Sequence, residues 1–303
     1  MGETVNEISA ERPVLLRINI PSCSRACSFC DRCLMAGRDT ARLHAYVMAL
    51  AKELTANAPE FQDCRVKAIH LGGGTASIID GNDFDHLMRL IRSEYKVDED
   101  VPVSMRVCPA DINGANQPFY NRCHVTMYHL EMLALDPDDY IHLDYLQYRE
   151  SLPYIAHGFL RAQARNDMGF VLLYGKKTRG RWGFRRSVLE TARRSDVAHV
   201  ILQRCTGDDA KDEEGCRAEL AEAAQILKEH GFAEYTPQHW AKPGCEDAYY
   251  AGHAAGMEEL GFGLGAETRF DAMVTKNTTD LDTYLRYSGD FARITASAEP
   301  IEA

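Results

Sequence analysis

At 303 residues the chain is longer than one ordinary domain needs and suits a single α/β barrel with small additions. Hydrophobic residues at 45% and charged residues at 26% match folded globular proteins, which excludes a disordered chain. The formal net charge of −11 excludes nucleic acid or an anionic membrane as the main partner, because both attract positive fields.

The opening Met1 to Arg12 is polar, and no apolar run approaches the roughly 18 residues of a spanning helix, so no transmembrane segment and a cytoplasmic location are expected. The first strand reads as Val14 to Ile20. A loop holding four of the ten cysteines follows, then a helix from about Thr40 with Leu43, Tyr46, Val47, Leu50 and Leu54 on one face. The second strand, Val66 to Leu71, runs into Gly72-Gly73-Gly74-Thr75, and a helix follows from about Asn82 to Tyr95. Strands at Val101 to Val107, His124 to Leu130, Val171 to Tyr174 and Val197 to Leu202 come next. The closing helix carries Cys216, Leu220, Ala223 and Leu227 and stops at Gly231.

Alternating strands and helices of this kind predict an α/β fold of about six βα units. Residues 1–231 are expected to form the barrel. Residues 232–303, broken by Pro237, Pro243-Gly244 and the glycines between Gly256 and Gly265, form an irregular extension packed on it rather than a separate domain. The acidic run Asp208 to Glu214 reads as a solvated loop and helix start.

The chemistry is concentrated between the first strand and the first helix. Cys23, Cys27 and Cys30 place three thiolates in eight residues directly after a strand, with Phe29 beside the last. Thiolates are the soft ligands of iron–sulfur clusters, and three of them leave one iron of a cuboidal cluster without a protein ligand. A zinc site using Cys30 or Cys33 as its fourth ligand is the alternative, although structural zinc favours two spaced pairs. Cys33 is placed outside the ligand set. Cys64, Cys108, Cys123, Cys205, Cys216 and Cys245 lack ligand spacing and read as small core residues.

The cysteine loop resembles that of the radical S-adenosylmethionine (SAM) superfamily. Arg17-Ile18-Asn19-Ile20-Pro21-Ser22-Cys23, His70-Leu71-Gly72-Gly73-Gly74-Thr75, His239-Trp240-Ala241-Lys242-Pro243-Gly244 and Leu260 to Ala266 together resemble its oxygen-independent coproporphyrinogen oxidase and heme chaperone branch. The resemblance implies a partial (β/α)6 barrel and a [4Fe-4S] cluster on Cys23, Cys27 and Cys30. SAM would be held by Phe29 and by Gly72, Gly73, Gly74 and Thr75, and cleaved to a 5′-deoxyadenosyl radical. It further implies an oxidoreductase or methyltransferase-like activity on a small molecule such as a porphyrin, with an electron donor such as flavodoxin or ferredoxin. A heme-binding chaperone without catalysis is the other reading, with heme as a further ligand and His239 as a candidate contact.

The departures from the branch lie where the nucleoside end of SAM is expected. Arg106 stands in place of an acidic residue that accepts from the ribose hydroxyls, and an arginine cannot accept. It remains a candidate ligand contact. Leu130 replaces a glutamine, with Glu131 beside it as a substitute. The fifth strand reads as shortened, and Glu267 replaces a histidine, which suggests altered substrate chemistry. His70 reads as a structural histidine.

Overall fold

The computed structural model describes residues 11–111, 116–136, 138–139, 167–181 and 183–301. Six parallel strands follow one another in spatial order. They are β1 (Arg12–Ile20), β2 (Cys64–Gly73), β3 (Val103–Val107), β4 (Met127–Leu133), β5 (Asp167–Tyr174) and β6 (His199–Arg204). Helices α1 (Thr40–Asn57), α2 (Gly81–Glu94), α3 (Gln117–Arg122) and α4 (Gly183–Ala192) lie in the crossovers, and α5 (Glu213–Glu229) follows β6. The fold is therefore mixed α/β on a parallel sheet, in the expected order of βα units.

The sheet curves strongly. Arg106 on β3 and Gln203 on β6 are three strands apart, roughly 14 Å on a flat sheet, yet their side chains meet at 3.2 Å. Alternation along each strand divides the residues between two faces. Val14, Leu16, Ile18, Leu71, Met105, Tyr128 and Leu130 are fully buried in the main core with Leu43, Tyr46, Val47, Leu50 and Leu54 of α1. The alternate positions Arg17, His70, Ser104, Arg106, His129, Glu131, His199 and Gln203 form a polar inner face.

Residues after Gly231 are stitched to both edges. The antiparallel pair β7 (Ala233–Thr236) and β8 (His239–Ala241) extends the sheet beyond β6. Past helix α6 (Ala248–Ala254), β9 (Glu258–Phe262) returns to pair in parallel with β1, and β10 (Glu267–Phe270), β11 (Met273–Asn277) and β12 (Thr295–Pro300) continue antiparallel from it, with α7 (Leu281–Tyr287) between the last two.

Several boundaries differ from the sequence reading. The fourth strand begins at Met127 rather than His124, because His124 takes a left-handed φ of 57° and Val125 N–H is held by the Tyr120 carbonyl in the turn after α3. Helix α2 starts at Gly81 with Asp80 as its cap, whose carboxylate accepts from Asn82 N–H at 2.8 Å. The fifth strand is not shortened; it runs eight residues from Asp167. The sixth reaches Arg204, and that extension carries Gln203 into the site.

Candidate functional site

The cysteine loop is held against the glycine loop by backbone bonds. The Pro21 carbonyl accepts from Leu34 N–H at 2.9 Å and Met35 N–H at 3.0 Å, which closes the loop at its base. Gly74 N–H donates to Ile20 at 2.8 Å and Thr75 N–H to Ser22 at 3.0 Å. On its far side the loop rests on the turn after β6, where Thr206 N–H donates to the Phe29 carbonyl at 3.1 Å. A Cβ at Gly207 would run into the Ser28 carbonyl.

These anchors gather Cys23, Cys27, Phe29, Cys30, Gly73, Gly74 and Thr75 around one cavity, whose other walls include Arg32, Cys108, Glu131 and Gln203. The Thr75 hydroxyl in this wall is buried and makes no hydrogen bond. Among the described residues no three Cys, His, Asp or Glu side chains converge on one point as a mononuclear ion requires; the thiols are spread along a cavity wall instead. Cys33 lies outside that wall and pairs with the Cys23 thiol, an interaction that raises the Cys23 pKa and lowers that of Cys33 to about 6.

Gly72 does not line the cavity. A side chain there would strike the His70 ring, whereas one at Gly73, with φ of 91°, would strike Asn19 Oδ1 and one at Gly74 the Ser22 backbone. The three glycines are therefore fixed first by the close approach of β1 and β2, and only Gly73 and Gly74 present backbone to the cavity.

Beneath this cavity, and sharing Arg32, Gly73 and Gln203 with it, opens a chamber on the inner face of the sheet. Arg17, Arg106, Arg204, His70, His239 and Tyr250 are among its walls. Arg106 pairs with Glu131 at 3.0 Å, Arg32 reaches the same carboxylate at 3.3 Å, and Gln203 Oε1 accepts from Arg32 at 2.5 Å. Burial alone would weaken the Arg32 charge, but Glu131 and the Cys30 sulfur more than offset it and keep the guanidinium protonated. Arg17 is 4.0 Å from Glu259, and its Nε is buried without a partner.

Of the residues expected from the sequence, Cys23, Cys27, Phe29, Cys30, Gly73, Gly74 and Thr75 line the cysteine cavity together with Glu131, Arg106 lines the chamber, and Gly72 lines neither. Arg17, Arg32, Cys108, Gln203 and Tyr250 also stand in these walls and were not expected there. A polar residue at every second position of otherwise apolar strands was the available signal. Trp240 is buried on the outer face beside Lys228, away from the chamber, because successive strand residues point to opposite sides and only His239 faces inward. Glu267 pairs with Arg269 at 2.8 Å and Lys276 at 3.2 Å on β10 and β11, outside the chamber walls.

No protein-family model matches the chain. It is 32% identical over 99 residues to an oxygen-independent coproporphyrinogen III oxidase from Mannheimia haemolytica, covering 68% of that sequence. A heme chaperone HemW of Mycobacterium tuberculosis is 25% identical over 284 residues, 84% of this chain and 69% of the relative. The matched stretch spans only 22% of the Salmonella typhimurium coproporphyrinogen oxidase. The solved coproporphyrinogen III oxidase HemN of Escherichia coli, a radical SAM enzyme, superposes with a TM-score of 0.81 at 18% identity over 97% of this chain and 73% of that one. The fold is thus that of HemN, and the chain belongs to the radical SAM superfamily, in the branch of oxygen-independent coproporphyrinogen III oxidases and heme chaperones.

Proposed function

We propose that the protein is a radical SAM oxidoreductase that removes a hydrogen atom from a carboxylated tetrapyrrole or a related small molecule. The observation carrying this reading is the junction of two cavities, one walled by Cys23, Cys27, Cys30 and the Gly73 to Thr75 backbone, the other by arginines, with Arg32, Gly73 and Gln203 common to both. In a chain of net charge −11 such an arginine cluster selects an anionic ligand.

The donor set fits the cofactors of the family. Three cysteines offer soft thiolates for a [4Fe-4S] cluster, and the unpartnered Thr75 hydroxyl with the Gly73 and Gly74 backbone offers polar atoms for the amino-acid end of SAM. Phe29, 4% exposed, supplies an apolar wall. When bound, cluster, SAM and an electron from a flavodoxin- or ferredoxin-like donor supply a hydrogen-abstracting radical. The chain's own contribution is orientation and exclusion of water. Glu131 offers the only carboxylate in the cysteine cavity among the described residues, and Arg106 and Arg32 hold it in place. Arg17, with its Nε unpartnered, remains to meet a substrate carboxylate.

A second reading is heme binding without catalysis, and one observation favours it. In the chamber wall, His239 Nδ1–H donates to the Pro237 carbonyl at 2.9 Å, and burial lowers the His239 pKa to about 4, so Nε2 keeps its lone pair. Anaerobic reconstitution, reduction and addition of SAM separate the two. Formation of 5′-deoxyadenosine, absent in Cys27→Ala, supports the enzyme. Heme absorbance dependent on His239 without that product supports the chaperone, and failure to bind any cluster refutes both.

A further inference from the structure

The inner face below the chamber is polar where a barrel interior is ordinarily packed with branched apolar side chains. His70, His129 and His199 are 3%, 0% and 0% exposed there, with Asp247 at 3%. A polar layer this deep is costly unless it is bonded or used. His129 Nε2 meets Asp247 Oδ2 at 2.6 Å, and the facing groups around His70 are Arg17, His129, His239, Asp247, Tyr249 and Tyr250.

One line of bonds crosses the layer completely. Tyr250 OH, in the chamber wall, lies 3.3 Å from His70 Nε2, and His70 Nδ1 lies 2.8 Å from Ser104 Oγ. Ser104 in turn lines a separate pocket with Pro102, Thr126, Met127 and Asp247, at the starts of β3 and β4. The chamber opens toward the opposite, C-terminal ends of the strands, where Arg106, Gln203 and Arg204 sit.

We infer that Tyr250, His70 and Ser104 form a proton route through the floor of the sheet, joining the chamber to the pocket behind it. Tyr250 passes its hydroxyl proton to His70 Nε2 while Nδ1–H passes to Ser104 Oγ and the Ser104 proton leaves to water in the far pocket. A proton from the chamber then restores Tyr250. One proton enters, one leaves, no electron moves, and the His70 hydrogen ends on Nε2, a tautomer that transfer in the opposite direction resets. Burial lowers the His70 pKa to about 3, so the resting ring is neutral and has both the hydrogen and the lone pair that a relay needs. Stacking on Tyr249, 4.7 Å away and 18° from parallel, holds the ring in register with both partners. Such a route serves the proposed function by letting protons move when substrate covers the chamber mouth, but its existence does not depend on that function.

The test is exchange of the His70 imidazole N–H with solvent, read by NMR on the full chain labelled with 15N-histidine and assigned by its loss in His70→Gln. In a Tyr250→Phe background, which closes the chamber end, adding Ser104→Ala is expected to slow exchange at least tenfold, and Ser104→Thr, which keeps a hydroxyl, to restore it. Equal rates for the alanine, threonine and serine proteins would overturn the route, as would a threonine variant as slow as the alanine one. Neither cluster nor SAM enters this readout, so it fails or succeeds separately from the proposed function.

Discussion

Glu131→Gln tests the electrostatic centre of the site. Glu131 is 9% exposed and neutralises two guanidiniums, Arg106 at 3.0 Å and Arg32 at 3.3 Å. The amide keeps the shape but removes the charge, leaving the buried Arg106 beside the neutral Gln203 and the half-buried Arg32 beside Gln203 and the Cys30 sulfur. Removing one partner of a buried ion pair costs about 3 kcal/mol or more, because the remaining charge stays desolvated. With an unfolding entropy of roughly 2.1 cal/mol/K per residue over 303 residues, or about 0.6 kcal/mol/K, that is a fall in Tm of about 5 °C. Differential scanning calorimetry of the wild type and variant measures it. Because the loss is electrostatic, Arg106→Gln added to Glu131→Gln should recover about 1 kcal/mol or more, a coupling that independent sites would not show. A single variant within about 1 °C of wild type, or a double variant with strictly additive losses, would refute the assignment of Glu131 as the counter-ion of the site.

Glu53, in α1, accepts from Gly263 N–H at 2.8 Å, Asn277 Nδ2 at 2.6 Å and the Tyr284 hydroxyl, yet burial still raises its pKa from 4.5 to about 7. The folded state therefore holds this proton more tightly than the unfolded one. Stability should be highest below pH 4.5 as far as this group decides it and decline by about 3 kcal/mol as pH rises through 7, a slope that Glu53→Gln abolishes in pH-dependent urea unfolding. Gly73→Ala forces an alanine to φ 91° and its Cβ onto Asn19, so urea titration should show a loss of about 2 kcal/mol and Asn19→Ala should relieve only part of it. Cys30→Ala should lose the charge-transfer absorbance of an anaerobically reconstituted cluster, whereas Cys33→Ala, outside the cavity wall, should keep it.

The cysteine and glycine loops were legible because each is continuous in sequence and stands directly after a strand whose apolar run is plain. Cys23 to Cys30 and Gly72 to Thr75 had to emerge at the same end of a parallel sheet, and bonds from Gly74 to Ile20 and Thr75 to Ser22 bring them together. Helix α1 was equally plain, since Leu43, Tyr46, Val47, Leu50 and Leu54 repeat at helical spacing and are all buried. The fourth strand was misplaced because the apolar pattern does not record that His124 turns left-handed.

What the sequence by itself determined was the order of βα units, the gathering of three thiols in one loop and the family to which the chain belongs. Local spacing is enough for these, because backbone periodicity and ligand type are properties of short segments. Only the tertiary structure decided that Arg32 meets Gln203, 171 residues away, that Glu131 pairs with Arg106 across adjacent strands, and that His70 in the chamber wall bonds to Ser104 in the wall of the pocket behind it. Alternation tells which residues share a face of one strand, but the curvature that brings distant strands around one space arises from the twist and packing of the whole sheet.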